Sequence, residues 1–85
     1  MHFKKDTAVI NLHFIDGNSS EVTMSQFKIN PDALANRLMN EIEEERVMYF
    51  EDIKVNLEDV VSFDIVNYDE LLERHLERLE LLEGK

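Results

Sequence analysis

Polar and apolar residues alternate in two stretches near the start of the chain. In residues 8–15 the apolar side chains of one face fall at every second position: Ala8, Ile10, Leu12 and Phe14. This is the two-residue period of a β-strand. An Asp-Gly pair separates this run from a second one, EVTMSQFKI, and the arrangement predicts an antiparallel hairpin over residues 7–27. The apolar positions change phase after Met24, which predicts a bulge or an end of the strand near Ser25.

The segment after the hairpin carries the signals of a helix start. Asn30 can accept hydrogen bonds from the unpaired N–H groups of a first helical turn, and Pro31 lacks an N–H that would need a partner there. Apolar residues then recur about every 3.6 positions, as on one side of a helix; they are Leu34, Ala35, Leu38, Met39 and Ile42. Glu45 falls on the same arc, so we expect the helix to end near Glu44.

The middle of the chain predicts further strands. The segment RVMYF fits either a strand or a last helical turn. Two alternating runs follow it, IKVNL and VVSFDIV, and they predict a second antiparallel hairpin over residues 53–66 with one face towards the core. The side chains expected to point inward are Ile53, Val55, Leu57, Val61, Phe63 and Ile65.

A final helix is predicted from a cap at Asn67 to a stop at Gly84. The order of elements is then strand, strand, helix, strand, strand, helix (ββαββα). This order predicts an α+β fold, a small two-layer sandwich in which two helices cover an antiparallel sheet made of two hairpins. The 85 residues suffice for one domain, which we expect to span residues 1–85.

The final helix holds more leucine than a short helix on a sheet requires. Most of its apolar arc is expected to cover the sheet, and the surplus at Leu76, Leu81 and Leu82 is expected to contact a second copy of the chain or another protein. His75 lies on the same arc, either as a partly exposed residue hydrogen-bonded to Tyr68 or to a carboxylate, which we favour, or as a pH-sensitive contact. The predicted partner-binding residues are Leu72, His75, Leu76, Leu79, Leu81 and Leu82.

The charge distribution bears on the kind of partner. The net charge is −10, and residues 41–85 carry all of it. Such a field repels nucleic acids and anionic membranes, so we expect neither as a direct partner and favour a basic protein. The alternative is a phage or prophage protein that mimics DNA and thereby inhibits a nucleic-acid-binding protein. The predicted acidic surface consists of Glu41, Glu44, Glu45, Glu73, Glu77 and Glu80.

The sequence contains few residues of the types that catalytic and ligand-binding sites need. It has no cysteine, two glycines and three histidines that are far apart along the chain. Zinc–thiolate sites, glycine-rich phosphate loops and His-x-x-x-His pairs are therefore missing. A chain of this length also leaves little room for a ligand pocket. We expect a cytoplasmic, non-catalytic protein with no cofactor, metal or small-molecule substrate, whose role is to bind or regulate another protein.

Overall fold

The computed structural model describes residues 5–51 and 53–83, with side chains as far as Leu81. The elements follow one another in the predicted order, and the α+β fold class is confirmed. They are β1 (Lys5–Phe14), β2 (Ser19–Phe27), α1 (Pro31–Glu43), β3 (Val47–Tyr49), β4 (Lys54–Asn56), a single 3-10 turn (Leu57–Asp59), β5 (Val60–Ile65) and α2 (Tyr68–Glu83). The predicted stop at Gly84 lies outside the described residues.

β1 is the central strand of a three-stranded antiparallel sheet with the order β2-β1-β5. The first hairpin forms as predicted, but its register with β2 runs without a break from Lys5 opposite Phe27 to His13 opposite Ser19. Of the two alternatives predicted near Ser25, the bulge is therefore wrong, and the strand ends close by at Phe27. The phase change comes instead from Lys28, whose φ of 59° bends the chain after the strand and turns Ile29 into the core.

The predicted hairpin over residues 53–66 does not form. β4 pairs with β3 in a separate two-stranded sheet, which settles RVMYF as a strand, and β5 pairs with β1. Ile53, predicted to point inward, is 49% exposed. Periodicity predicted the strands correctly but carries no information about which strand pairs with which. The predicted pairing of the two strands that are adjacent in sequence, β4 and β5, is wrong.

A β-bulge lies between β1 and β5. His13 is opposite Ser62 while Phe14 is opposite Val60, so Val61 is the extra residue on β5. It is 59% exposed, which corrects its predicted inward position, while Phe63 and Ile65 pack against the core as predicted. Val61 and Phe63 line a groove of about 300 Å³ with Met39 of α1, which is itself exposed although it was predicted on the buried arc.

α1 begins and ends at specific capping interactions. The Asn30 side chain accepts hydrogen bonds from the N–H groups of Asp32 and Ala33, as predicted. At the other end the Arg46 N–H donates to the Glu41 carbonyl, and the Glu45 N–H donates to the Ile42 carbonyl, both at 3.0 Å. This pair of bonds is the Schellman motif, which needs a left-handed residue after the cap. Glu45 supplies it with φ of 55°.

The core lies between the inner face of the three-stranded sheet and the two helices. It is centred on β1, whose inward positions Ala8, Ile10 and Leu12 are completely buried. α1 adds Leu38, and α2 adds Leu71, both also completely buried. Of the described helices, neither is both long and apolar enough to cross a membrane.

Replacing Glu45 with glycine is expected to stabilise the protein by about 0.5–1 kcal/mol, because glycine adopts the left-handed conformation without a steric cost. The free energy of unfolding from urea titration measures the effect. Glu44→Gly is the matched control, since Glu44 has a φ of −88° and gains nothing from glycine. Equal effects of the two substitutions would contradict this role of Glu45.

Candidate functional site: two flanks of the C-terminal helix

α2 buries only a small part of its apolar surface among the described residues. Leu71 is completely buried, and Leu72 and His75 are half-buried. Leu76, Leu79 and Leu81 remain 53%, 39% and 75% exposed. The side chain of Leu82, which was also predicted to bind a partner, lies outside the described residues.

The exposed leucines do not form one surface. On a helix a residue neighbours those three and four positions away, so Leu76 lies beside Leu72 and Leu79 on one flank. These three leucines are called the apolar strip. Its border is acidic, because Glu73 and Glu80 are the other two neighbours of Leu76. Both of these carboxylates are exposed.

Leu81 lies on the opposite flank of α2. Its neighbours by helical spacing are Glu77 and Arg78, and all three line a cleft of about 780 Å³ between α2 and the end of the first hairpin. The remaining lining residues are Lys5, Asp6, Phe27, Lys28 and Arg74. This surface is called the cationic cleft. Its volume is within the range of ligand pockets. A pocket of this size was not expected in a chain of this length.

A buried carboxylate holds α2 against the sheet at this cleft. Asp6 of β1 is 5% exposed. Its Oδ2 lies 3.0 Å from an Arg78 guanidinium nitrogen and accepts a 3.2 Å hydrogen bond from the Ile29 N–H, and its Oδ1 lies 3.5 Å from Arg74. Arg78 also donates to the Ile29 carbonyl at 3.1 Å. The network therefore ties together the first strand, the bend between β2 and α1, and the last helix.

Only a weak signal in the amino-acid order points to this network. Asp6 precedes the alternating run, and the two arginines are four residues apart on the flank of a helix, where charged residues are ordinarily solvated. A signal that could have identified it is the position of Asp6 in the alternation. It has the same parity as Ala8 and Ile10, which places its side chain on the core face.

The environment of His75 differs from the prediction. No described residue makes a hydrogen bond to the His75 ring, and the Tyr68 hydroxyl donates instead to the Asp32 carboxylate at the start of α1. The hydrogen bond to this carboxylate, followed by burial and the charges of Asp32 and Asp69, raises the pKa of Tyr68 above its ordinary value. Tyr68 therefore joins the two helices rather than supporting His75.

The six predicted acidic-surface residues fall into two groups. Glu73, Glu77 and Glu80 are exposed on α2, whereas Glu41, Glu44 and Glu45 lie at the end of α1. There Arg46 pairs with Glu44 at 2.5 Å and with Glu41 at 3.5 Å. α2 contacts α1 at its beginning, through Asp32, and the 13 residues of α1 extend about 20 Å beyond that point. Mimicry of a row of DNA phosphates stays a prediction, and its carboxylates are divided between two helices.

In residues 5–51 and 53–81 no three histidine, cysteine, aspartate or glutamate side chains converge on one point. The surfaces described above make the two flanks of α2 the candidate site. One flank is apolar with an acidic border, and the other faces the cationic cleft.

No protein-family model, curated protein or solved structure matches this chain. A proposal about its function therefore depends on the chemistry of its own surfaces.

Replacing Asp6 with alanine is expected to destabilise the protein by about 2–3 kcal/mol, because the Ile29 N–H loses its acceptor and two arginines lose the buried carboxylate with which they pair. Asp6→Asn keeps an oxygen acceptor for the N–H and should cost less. The control is Asp64→Ala, which removes an exposed carboxylate bonded to His13 and should cost less than about 1 kcal/mol. Urea unfolding at neutral pH measures all three. A similar small loss for Asp6→Ala and Asp64→Ala would contradict the anchoring role of Asp6.

The Tyr68 pKa is expected to fall towards its ordinary value, about 10, when Asp32 is replaced with asparagine. Because the pKa of Tyr68 is higher in the folded protein than in the unfolded chain, the Tyr68–Asp32 contact stabilises the fold fully at pH values below the unfolded pKa. This stabilisation is lost as the pH rises through the pKa of Tyr68 in the folded protein. Phenolate absorbance in a Tyr49→Phe background isolates the titration of Tyr68. If the Asp32→Asn substitution left the midpoint of this titration unchanged, the contact would not be the cause of the raised pKa.

Proposed function

We propose that this protein is a non-catalytic binding module that docks onto a basic protein partner through the apolar strip of α2. The observation that carries the proposal is the exposure of Leu76 and Leu79 on a helix whose inner side is already anchored by Leu71 and the Asp6 network. An exposed row of leucines beside a charged border is typical of a surface that receives an amphipathic helix.

The charge beside the strip favours a basic partner over a second copy. A helix docked on Leu76 lies next to Glu73 and Glu80, which attract lysine or arginine at its border. A second copy docked through its own strip would bring the same carboxylates of two chains, each with a net charge of −10, towards one another. A homodimer through α2 is therefore the less favoured form of the proposal.

The proposal also includes the location of the protein in the cell and its effect on the partner. A chain without cysteine suits the reducing cytoplasm, where such a module would regulate or position its partner. The docking surface would be occupied by leucine and by lysine or arginine side chains of the partner, and no bond would be made or broken.

The test uses a synthetic amphipathic helical peptide of leucine and lysine, with binding followed by fluorescence anisotropy. Replacing Leu76 and Leu79 together with serine is expected to weaken binding at least about tenfold, because each half-buried leucine contributes about 1 kcal/mol at the contact. High salt should also weaken binding, since Glu73 and Glu80 contribute through charge.

The matched control is Leu81→Ser, which removes a more exposed leucine from the other flank of the same helix and should leave the affinity for this peptide unchanged. Equal losses for Leu81→Ser and the double substitution would contradict docking at the strip. If the wild-type protein sedimented as a dimer and the double substitution made it monomeric, the partner at the strip would be a second copy rather than a basic protein.

A further inference from the structure

The cationic cleft has the opposite charge to the rest of the protein. Four basic side chains (Lys5, Lys28, Arg74 and Arg78) and two acidic ones (Asp6 and Glu77) line it. With Glu70, which pairs with Arg74 at 2.7 Å, the local charge is +1 on a chain of −10. Charges beyond about 8–10 Å are largely screened at physiological ionic strength. A ligand inside the cleft therefore interacts with the local positive charge more than with the acids elsewhere on the surface.

The two lysines hold charge that no described residue neutralises. Asp6 lies between Arg74 and Arg78, but no described carboxylate lies within ion-pair distance of Lys5 or Lys28. The backbone bend at Lys28 is held by the next residue, Ile29. The Ile29 N–H donates to Asp6, and the Ile29 carbonyl accepts from Arg78. The Lys28 ammonium group lies 5.0 Å from the centre of the Phe27 ring, within the range of a cation–π contact.

The cleft also has apolar walls. Phe27 is 47% exposed and Leu81 is 75% exposed, and both belong to its lining. Lys5 lies directly opposite Phe27 in the register of the first hairpin, so a cation and an aromatic ring stand side by side at its entrance. A small inorganic anion would pair with the lysines but would leave this apolar surface in contact with water.

We propose that the cationic cleft binds an acidic peptide segment that carries an apolar side chain. Its carboxylates would pair with the Lys5 and Lys28 ammonium groups, and its apolar side chain would pack between Phe27 and Leu81. Arg74 and Arg78 would have a mainly structural role, because both already form ion pairs with Asp6. This site is separate from the apolar strip, and the two surfaces take ligands of opposite charge on opposite flanks of α2.

The test uses a fluorescein-labelled synthetic peptide of glutamate and leucine, with binding followed by anisotropy. Lys5→Glu with Lys28→Glu is expected to weaken binding at least about tenfold, because two attractive charges become repulsive at contact distance. The control is Arg37→Glu with Lys54→Glu, which changes the net charge equally but outside the cleft, and it should change affinity less than about threefold. Circular dichroism verifies that both double variants are folded.

The apolar part of the proposal has its own measurements. Leu81→Ser, and separately a peptide with serine in place of leucine, should each weaken binding about threefold to tenfold. Leu76→Ser should have no effect. Equal binding of the peptide without leucine, or equal losses from the cleft and control double variants, would overturn the proposal. Displacement of the peptide by inorganic phosphate or by decanoate at the peptide's own concentration would also overturn it, in favour of a small-anion or fatty-acid site.

Discussion

The fold depends on one buried carboxylate. Asp6 accepts a hydrogen bond from the Ile29 N–H and forms ion pairs with two arginines of α2, so it joins the first strand, the bend after the first hairpin and the last helix. A buried charge is costly unless it is paired and hydrogen-bonded, and here each oxygen has a partner. Because α2 contributes only Leu71 as a completely buried residue among those described, apolar packing alone gives this helix a narrow attachment. The ionic contact sets where α2 crosses the sheet, and hence which of its flanks face solvent.

Local patterns predicted local structure well. The strands of the first hairpin follow from alternation, and the start of α1 follows from the cap at Asn30. The end of α1 near Glu44 follows from the charged Glu45 on its apolar arc. The pairing of β5 was not predictable in this way, because β1 is distant in sequence and alternation is the same whichever strand lies alongside. The bulge at Val61 depends on that pairing, so its exposure could not be predicted either.

The candidate surfaces were predicted only in part. Helical spacing indicated that the leucines of α2 exceed what the sheet can cover, but it treated them as one surface. The division depends on the angle at which α2 is anchored, which Arg74 and Arg78 determine through Asp6. The sequence patterns predicted no role for those arginines or for Lys5 and Lys28. The cationic cleft exists because residues from the two ends of the chain meet, which no pattern within a short window can indicate.

The distance in sequence between Asp6 and its arginines has a consequence for biosynthesis. A ribosome makes β1 first, and even the nearer arginine, Arg74, is added 68 residues after Asp6. Until the arginines have left the exit tunnel, the nascent chain holds an unneutralised carboxylate on the inner face of its first strand. Domains rich in such long-range contacts form slowly, because the ends of a long loop must meet before the contacts stabilise anything. This domain is therefore expected to reach its folded state only after α2 has left the ribosome.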